Sequence, residues 1–219
     1  SYAQDDTAKK KVKAYMVSDA HLDTQWNWDL THTIREYIPR ILFQNLWMLE
    51  RYPDYKFNFE GGIIYRWMKE YYPLHYARLQ KYIDEGRWHI SGASWNANDP
   101  NMPSAESFIR NILQGQELYK REFGVRSTDI FLPDCFGFGY TLPSLAAHCG
   151  LIGFSTQKLS WRKHDFFPDA PYHKKNPFSW GVWYGIDGQS LMAAFDTGGY
   201  TAELPADAGY NKDFIRRAS

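Results

Sequence analysis

The stretch DIFLPDCFGFGYTLPSLAAHCG, residues 129–150, contains one complete strand–loop–helix unit and indicates how the rest of the chain folds. Asp129 to Leu132 is apolar and β-prone, and the chain leaves it through Pro133, which has no backbone N–H to continue a ladder. Two glycines then allow a tight turn into a helix that we expect from Thr141 to His148. The unit therefore brings Asp134 to the carboxyl end of a strand, just before a helix.

The same order of a short strand and a longer helix recurs along the chain. The patterns predict further strands at Val12–Ser18, Tyr55–Phe59, Trp88–Ala93 and Ile152–Thr156, and helices at Thr33–Arg51, Ile63–Glu85 and Pro103–Phe123. Thr33 to Glu36 fits a capping box, and Pro39 is expected to kink or restart the helix that follows. Such alternation implies a parallel sheet with right-handed crossovers, in either a barrel or a doubly wound sheet.

The alternation does not extend over the whole chain. After Lys158 it fades, and Trp161 to Pro177 is predicted to be a loop. Four or five strands do not close a barrel, so we expect the chain to be an N-terminal piece of a larger fold. In either architecture, polar side chains that follow the strands meet at the carboxyl edge of the sheet.

The composition limits the class of protein. The chain has 219 residues, enough for one domain with a substantial core, and 25 basic residues balance 25 acidic ones. This balance argues against nucleic acid or an anionic membrane as the partner, because both select a basic surface. No apolar stretch approaches the ~20 residues of a membrane helix. Nine Trp, sixteen Tyr and fourteen Phe fit either a large aromatic core or a site that packs rings against sugars.

The cysteines and the first residues bear on the compartment. Cys135 and Cys149 lie at opposite ends of a predicted helix, too far apart for the ~4.4–6.8 Å Cα spacing of a disulfide, so we predict two free thiols. Ser1 and Ala3 resemble the residues beside a signal-peptidase site, which favours an exported or periplasmic protein over a cytoplasmic one. The sequence does not indicate the oligomeric state.

The segment SDAHLDTQW, residues 18–26, follows the first predicted strand and brings two metal-binding side chains together. In extended backbone, residues two positions apart point to the same side, so the imidazole of His21 and the carboxylate of Asp23 can converge on one cation. This pair of donors suits Zn²⁺ and similar divalent ions. The pair by itself is also what an ordinary surface hydrogen bond would require.

Three other side chains at loop positions have two interpretations each. Asp134 either caps its loop or acts as a nucleophile or metal ligand held between two rigid elements. Asp99 lies between a strand and the helix that begins at Pro103, where capping of the turn is the simpler role. Lys158 follows the fifth predicted strand, and it is either a solvated surface residue or a group that binds sugar hydroxyls.

Several motifs together resemble one family. The sequence is similar to the glycoside hydrolase family 38 α-mannosidases from about Val12 to Tyr200, in one order along the chain. The motifs are AHLDTQWNW (residues 20–28), NMPSAESFIRNILQGQELYKREFG (101–124), LPDCFGFGYTLPSLAAHCGL (132–151) and STQKLSW (155–161). The resemblance implies an α/β fold, namely a parallel seven-stranded β/α barrel that is incomplete in this chain. Residues 1–10 would be an N-terminal extension, and residues 11–219 would form most of the barrel, without the family's helical and β-sandwich domains.

The resemblance also implies roles for individual side chains. The family's zinc ligands fall on His21, Asp23 and Asp134, and Asp134 is in addition the catalytic nucleophile. Substrate contacts are assigned to Trp26, Phe136, Lys158, Asp99 and Tyr200. The remaining His ligand and the acid/base of the family fall beyond Ser219. Relatives commonly carry Trp-Val-Glu where this chain has Trp95-Asn96-Ala97, a difference at the outer sugar subsite.

The implied activity is zinc-dependent, retaining hydrolysis of terminal α-linked mannose from an oligosaccharide or glycan, through a covalent mannosyl-enzyme on Asp134. Two alternatives remain open. A metal-dependent polysaccharide deacetylase would use similar ligands, although the paired-His motif it needs is not found. A non-catalytic carbohydrate-binding protein would keep Trp26 and Phe136 without needing Asp134.

Overall fold

The computed structural model describes residues 17–157 and 180–195 of the chain. Within these ranges the strands are β1 (Ser18–Ala20), β2 (Phe57–Phe59), β3 (Trp88–Ile90), β4 (Asp129–Phe131), β5 (Gly153–Thr156), β6 (Trp180–Tyr184) and β7 (Ser190–Phe195). The helices are α1 (Leu30–His32), α2 (Ile38–Arg51), α3 (Gly62–Tyr71), α4 (Pro73–Tyr76), α5 (Leu79–Asp84), α6 (Ala105–Phe123) and α7 (Leu142–His148), with a π-helical turn at Thr33–Tyr37. None of the described helices is long and apolar enough to cross a membrane.

The strands form two sheets. One sheet has the order β1-β2-β3 and is parallel throughout. The other has the order β4-β5-β7-β6, in which β6 alone runs antiparallel to its neighbour. The α/β class with parallel sheets is therefore confirmed. A closed seven-stranded barrel is not confirmed, because the described residues form sheets of three and four strands.

Each sheet has its own hydrophobic core. Under the first sheet, Trp88 and Tyr65 are fully buried, and the indole Nε1 of Trp88 donates to the Tyr65 hydroxyl at 2.8 Å. That hydroxyl in turn donates to the carbonyl of Phe59 at 3.1 Å, so both polar atoms are satisfied. The second core gathers Ile130 and Phe154 from neighbouring strands. Many of the aromatic residues counted in the sequence are thus core residues.

The helix after β1 begins earlier than predicted. The capping box proposed at Thr33 is wrong, because the helical backbone already starts at Leu30 and Asp29 accepts a hydrogen bond from His32 N at 2.8 Å. Thr33 is buried inside the helical run, and its hydroxyl donates to the carbonyl of Thr24 at 2.8 Å. As expected, Pro39 marks a restart, since it lies in the first turn of α2 directly after the π-helical turn.

Two strands were not predicted. β6 and β7 form a hairpin in the stretch where the regular strand–helix order was expected to fade. The signal was present in WGVWYGIDGQSLMAAF, residues 180–195, where two β-prone runs flank an Asp-Gly pair. The predicted loop at Trp161–Pro177 lies outside the described residues. Cys135 and Cys149 are free thiols, as predicted.

Helix α6 begins and ends where the sequence predicts. Ser104 caps it by accepting a hydrogen bond from Ser107 N at 3.2 Å, and Gly124 follows its last turn. At Gly115 the helix meets the segment that follows β3. A Cβ atom on Gly115 would lie 2.6 Å from the carbonyl carbon of Ser94 and 2.7 Å from the nitrogen of Trp95. The missing side chain therefore determines how closely α6 packs against that segment.

Replacing Gly115 by Ala is expected to cost about 3 kcal/mol, because the added methyl overlaps backbone atoms that no side-chain rotation can move. For a domain of this size, that loss lowers the temperature at which the domain unfolds by roughly 6–12 °C. Glu117→Ala on the exposed face of the same helix is the control, with a change within about 0.5 kcal/mol. Equal melting of the two variants would contradict the described packing.

Candidate active site

Polar side chains that follow three of the strands lie close together in the structure. His21 directly follows β1, Glu60 directly follows β2, and Asp134 comes shortly after β4. The parallel register of β1 with β2 puts the first two side chains at the same level, since Ala20 pairs with Phe59. The carboxyl ends of parallel strands share one edge of a sheet, where ligand sites of α/β proteins are found.

The three predicted metal ligands are close together. One donor atom each from His21, Asp23 and Asp134 can be chosen such that all three lie within 4.8 Å of one another. His21 Nε2 lies 3.4 Å from a carboxylate oxygen of Asp23, and this nitrogen is buried without a hydrogen-bond partner among the described residues. One imidazole and two carboxylates are donors that fit Zn²⁺ and other divalent cations. The residues present therefore fit a metal ion.

His21 is held from behind by a carboxylate that the sequence analysis left without a role. Its Nδ1 lies 2.8 Å from Oε1 of Glu60, whose side chain is only 4% exposed. Burial acts to lower the pKa of His21, but the hydrogen bond to Glu60 and the negative charges of Glu60, Asp23 and Asp134 outweigh it, so the pKa is raised. The imidazole thus lies in a negative potential, which also favours a bound cation.

The buried position of Glu60 disfavours the ionised form of its carboxyl group. Burial raises the pKa of its carboxyl group, and the hydrogen bond and charge of His21 offset this only in part. Asp129 and Asp19 add further negative potential and raise the pKa further. The sequence offered one signal for this residue, its place directly after a strand at the same edge as His21.

The loop that carries Asp134 is fixed on both sides of this residue. Before it, Leu132 and Pro133 are buried, and Leu132 N donates to the carbonyl of Ser155 in β5 at 3.0 Å. After it, Cys135 is buried, and its Sγ donates to the carbonyl of Asn98 at 3.0 Å. Asp134 is thus a half-buried carboxylate on a rigid support.

The two aromatic side chains predicted to contact sugar are exposed. Trp26 is 73% exposed and Phe136 is 70% exposed, so neither belongs to the core. The Trp26 ring contacts the edge of Trp28, with centroids 5.8 Å apart. Trp28 is fixed in turn, because its Nε1 donates to the Thr33 hydroxyl at 2.8 Å. Both rings are thus accessible to solvent, and their role in binding sugar stays a prediction.

Of the other predicted substrate contacts, the structure describes Asp99, which is not part of the metal-binding group. The Asp99 carboxylate accepts a hydrogen bond from Asn101 N at 2.9 Å, which is the turn-capping role considered for it. Its loop lies beside the Asp134 loop through the contact between Asn98 and Cys135. Lys158 and Tyr200 lie outside the described residues, so their roles stay predictions.

One protein family matches most of the chain. The model of the glycosyl hydrolases family 38 N-terminal domain matches residues 11–216 of the chain. The chain belongs to this family.

Individual relatives in family 38 carry the name α-mannosidase. The chain is 34% identical over 215 residues to alpha-mannosidase G of Dictyostelium discoideum, which covers 95% of this chain and 19% of that protein. It is 34% identical over 178 residues to alpha-mannosidase 2C1 of Homo sapiens, which covers 81% of this chain and 16% of that protein. The crystal structure of an alpha-mannosidase from Enterococcus faecalis has the same fold, with a TM-score of 0.73 and 21% identity over 92% of this chain and 22% of that one. The chain spans about a fifth of the length of these relatives.

Replacing Trp26 and the buried Trp88 in separate variants tests whether the Trp26 ring is exposed. Trp26→Ala is expected to leave the melting temperature of the full-length protein nearly unchanged, because most of the ring already contacts water. Trp88→Ala removes a ring that is 1% exposed, and is expected to cost about 3–5 kcal/mol. Thermal denaturation of both variants checks this, and a comparable loss at Trp26 would mean that this ring is part of the core.

Proposed function

We propose that the full-length protein is a zinc-dependent, retaining α-mannosidase that removes terminal α-linked mannose from oligosaccharides or glycans. The observation that carries this proposal is the convergence of His21, Asp23 and Asp134 within 4.8 Å at one sheet edge. Membership of family 38 and the names of the relatives support mannose as the sugar. Mannose-containing glycans are the proposed partners.

The proposed nucleophile is Asp134. Its carboxylate attacks the anomeric carbon, the bond from that carbon to the leaving oxygen breaks, and a covalent mannosyl-enzyme forms. The buried residues on both sides of Asp134 keep the attacking oxygen in place, which lowers the entropic cost of reaching the reactive geometry. Water then releases the sugar with retained configuration. The acid/base residue that these reaction steps require is not assigned to any described residue.

His21, Asp23 and Asp134 would hold the zinc ion. Bound there, the ion would act as a Lewis acid and orient hydroxyl groups of the sugar. His21 supplies the lone pair of Nε2, the two carboxylates supply oxygen, and their charges balance a dication. The exposed rings of Trp26 and Phe136 would pack against the faces of the sugar ring.

Further predictions from the family resemblance belong to the same proposal. Lys158, Tyr200 and Asp99 would contact hydroxyl groups of the substrate. The two sheets would be neighbouring parts of one seven-stranded barrel, which is supported by a hydrogen bond from Ala93 N to the carbonyl of Asp129 at 2.9 Å. Export from the cytoplasm stays a prediction from the sequence.

Asp134→Asn is expected to lower kcat on 4-nitrophenyl α-mannoside by about a thousandfold or more, equal to about 4 kcal/mol of the activation barrier. Asp54→Asn in an exposed turn is the control and should retain wild-type turnover. A fluorinated mannosyl fluoride, which slows release of the intermediate, should label the wild-type protein. Peptide mass spectrometry should find the label on Asp134, and a label on any other carboxylate would overturn the assignment.

The same assay separates the alternative functions. A deacetylase would release acetate from an acetylated oligosaccharide and leave the mannoside intact. A binding protein would retain mannose oligosaccharides without turning over either substrate. Either result would replace the proposed activity.

His21→Ala is expected to reduce bound zinc from about one ion to well below one per chain, because it removes the only neutral donor of the proposed group. His89→Ala, at an exposed position of β3, is the matched control and should keep full metal content. Metal analysis after dialysis against Zn²⁺ measures both. Full zinc occupancy in the His21→Ala variant would show that the proposed group is not the metal site.

A further inference from the structure

The pair formed by Glu60 and His21 has a geometry that a simple structural contact does not need. Glu60 Oε1 lies 2.8 Å from His21 Nδ1, and the two residues are 39 positions apart in the chain. Both side chains are nearly buried, with 4% and 11% of their surface exposed. A buried contact between a carboxylate and an imidazole contributes little net stability, because desolvation of both groups offsets their attraction. Stability alone therefore does not explain why Glu60 and His21 are paired.

The hydrogen bond fixes which nitrogen of His21 carries the proton. An ionised carboxylate can only accept, so Nδ1 is the donor and the neutral ring has its lone pair on Nε2. This Nε2 is the atom that is buried without a hydrogen-bond partner among the described residues. It lies on the side of Asp23, at 3.4 Å from a carboxylate oxygen. The free lone pair therefore points to the group that includes Asp134.

The backbone beside Glu60 leaves room for its carboxylate. Gly92 has a φ of +65°, a backbone conformation that residues with a side chain rarely adopt. A Cβ atom at this position would lie 3.2 Å from Glu60 Oε2 and 3.3 Å from Glu60 Cβ. The turn is held in place by Asp129, which accepts a hydrogen bond from Ser91 Oγ at 2.9 Å. The chain thus keeps space behind His21 for one carboxylate.

We propose that Glu60 is a positioning residue that fixes the tautomer and orientation of His21 and aims Nε2 at the metal ion. The inference rests on the proposed metal site and adds to it a residue that does not itself bind the metal. Carboxylates that accept from the second ring nitrogen of a metal-binding His increase its basicity, and their loss typically weakens metal binding about 10–100-fold. Through this contact, Glu60 at the end of β2 holds the proposed metal ligand His21 at the end of β1.

Zinc affinity of the metal-stripped full-length protein tests this proposal. The dissociation constant for Zn²⁺, measured by competition with a chelator at pH 7, is expected to rise about tenfold in Glu60→Gln and up to about a hundredfold in Glu60→Ala. The amide oxygen of Gln still accepts from Nδ1 but lacks the charge, so it should rescue part of the affinity. The melting temperature of each metal-free Glu60 variant is measured alongside, so that a loss of zinc affinity is separated from a loss of folding.

Gln116→Ala is the matched control. Gln116 is buried and exchanges two hydrogen bonds with the backbone of Ser127, so its loss should lower the melting temperature without changing zinc affinity. Unchanged zinc affinity in both Glu60 variants would overturn the positioning role while leaving the metal site intact. A wild-type protein that binds no Zn²⁺ would overturn the proposed metal site, and this inference with it.

Discussion

The junction between β3 and β4 is the constraint on which the candidate site depends. His21 and Asp23 belong to the first sheet and Asp134 to the second, so their proximity requires the sheets to adjoin. The contact is made by Asp129, whose carbonyl accepts from Ala93 N at 2.9 Å and whose carboxylate accepts from Ser91 Oγ at 2.9 Å and from Ser127 Oγ at 2.8 Å. The bonds from Ala93 and Ser91 join the segment after β3 to β4, whereas the bond from Ser127 is local and fixes the Asp129 carboxylate. Asp129 therefore supports the group formed by His21, Asp23 and Asp134 without belonging to it.

The charges at the sheet edge explain why a cation is expected there. Asp23, Asp134 and Glu60 bring three carboxylates near a single imidazole, and like charges close together repel in a partly buried environment. Burial raises the pKa of the Glu60 carboxyl group, and its Oε2 has no hydrogen-bond partner among the described residues. A dication bound by Asp23, Asp134 and His21 would offset the excess negative charge. The same potential raises the pKa of His21 in the metal-free chain.

Local features of the fold could be predicted from the sequence, and long-range ones could not. α6 was predicted within a residue or two because its start and end depend on Ser104 and Gly124, which are neighbours of the helix. The proximity of the His21 and Asp23 side chains was predicted because two residues in extended backbone share a side, and the family resemblance added the prediction that they bind a metal. Glu60 was not, because its role depends on the pairing of β1 with β2 across 39 positions. The helix start at Leu30 was missed because Thr33 bonds to Thr24 instead of capping.

The loop from Trp95 to Asp99 shows how a local sequence difference acts through the fold. Asn111 of α6 holds the backbone of Asn96 on both sides: its Nδ2 donates to the Asn96 carbonyl at 2.8 Å, and Asn96 N donates to its Oδ1 at 3.0 Å. Trp95 N also donates to the carbonyl of Asn111 at 2.8 Å. Three hydrogen bonds to Asn111 therefore hold the backbone immediately before Ala97. The side chain of Ala97 has no hydrogen-bond donor or acceptor, so the backbone that these bonds hold in place presents no polar side chain at position 97.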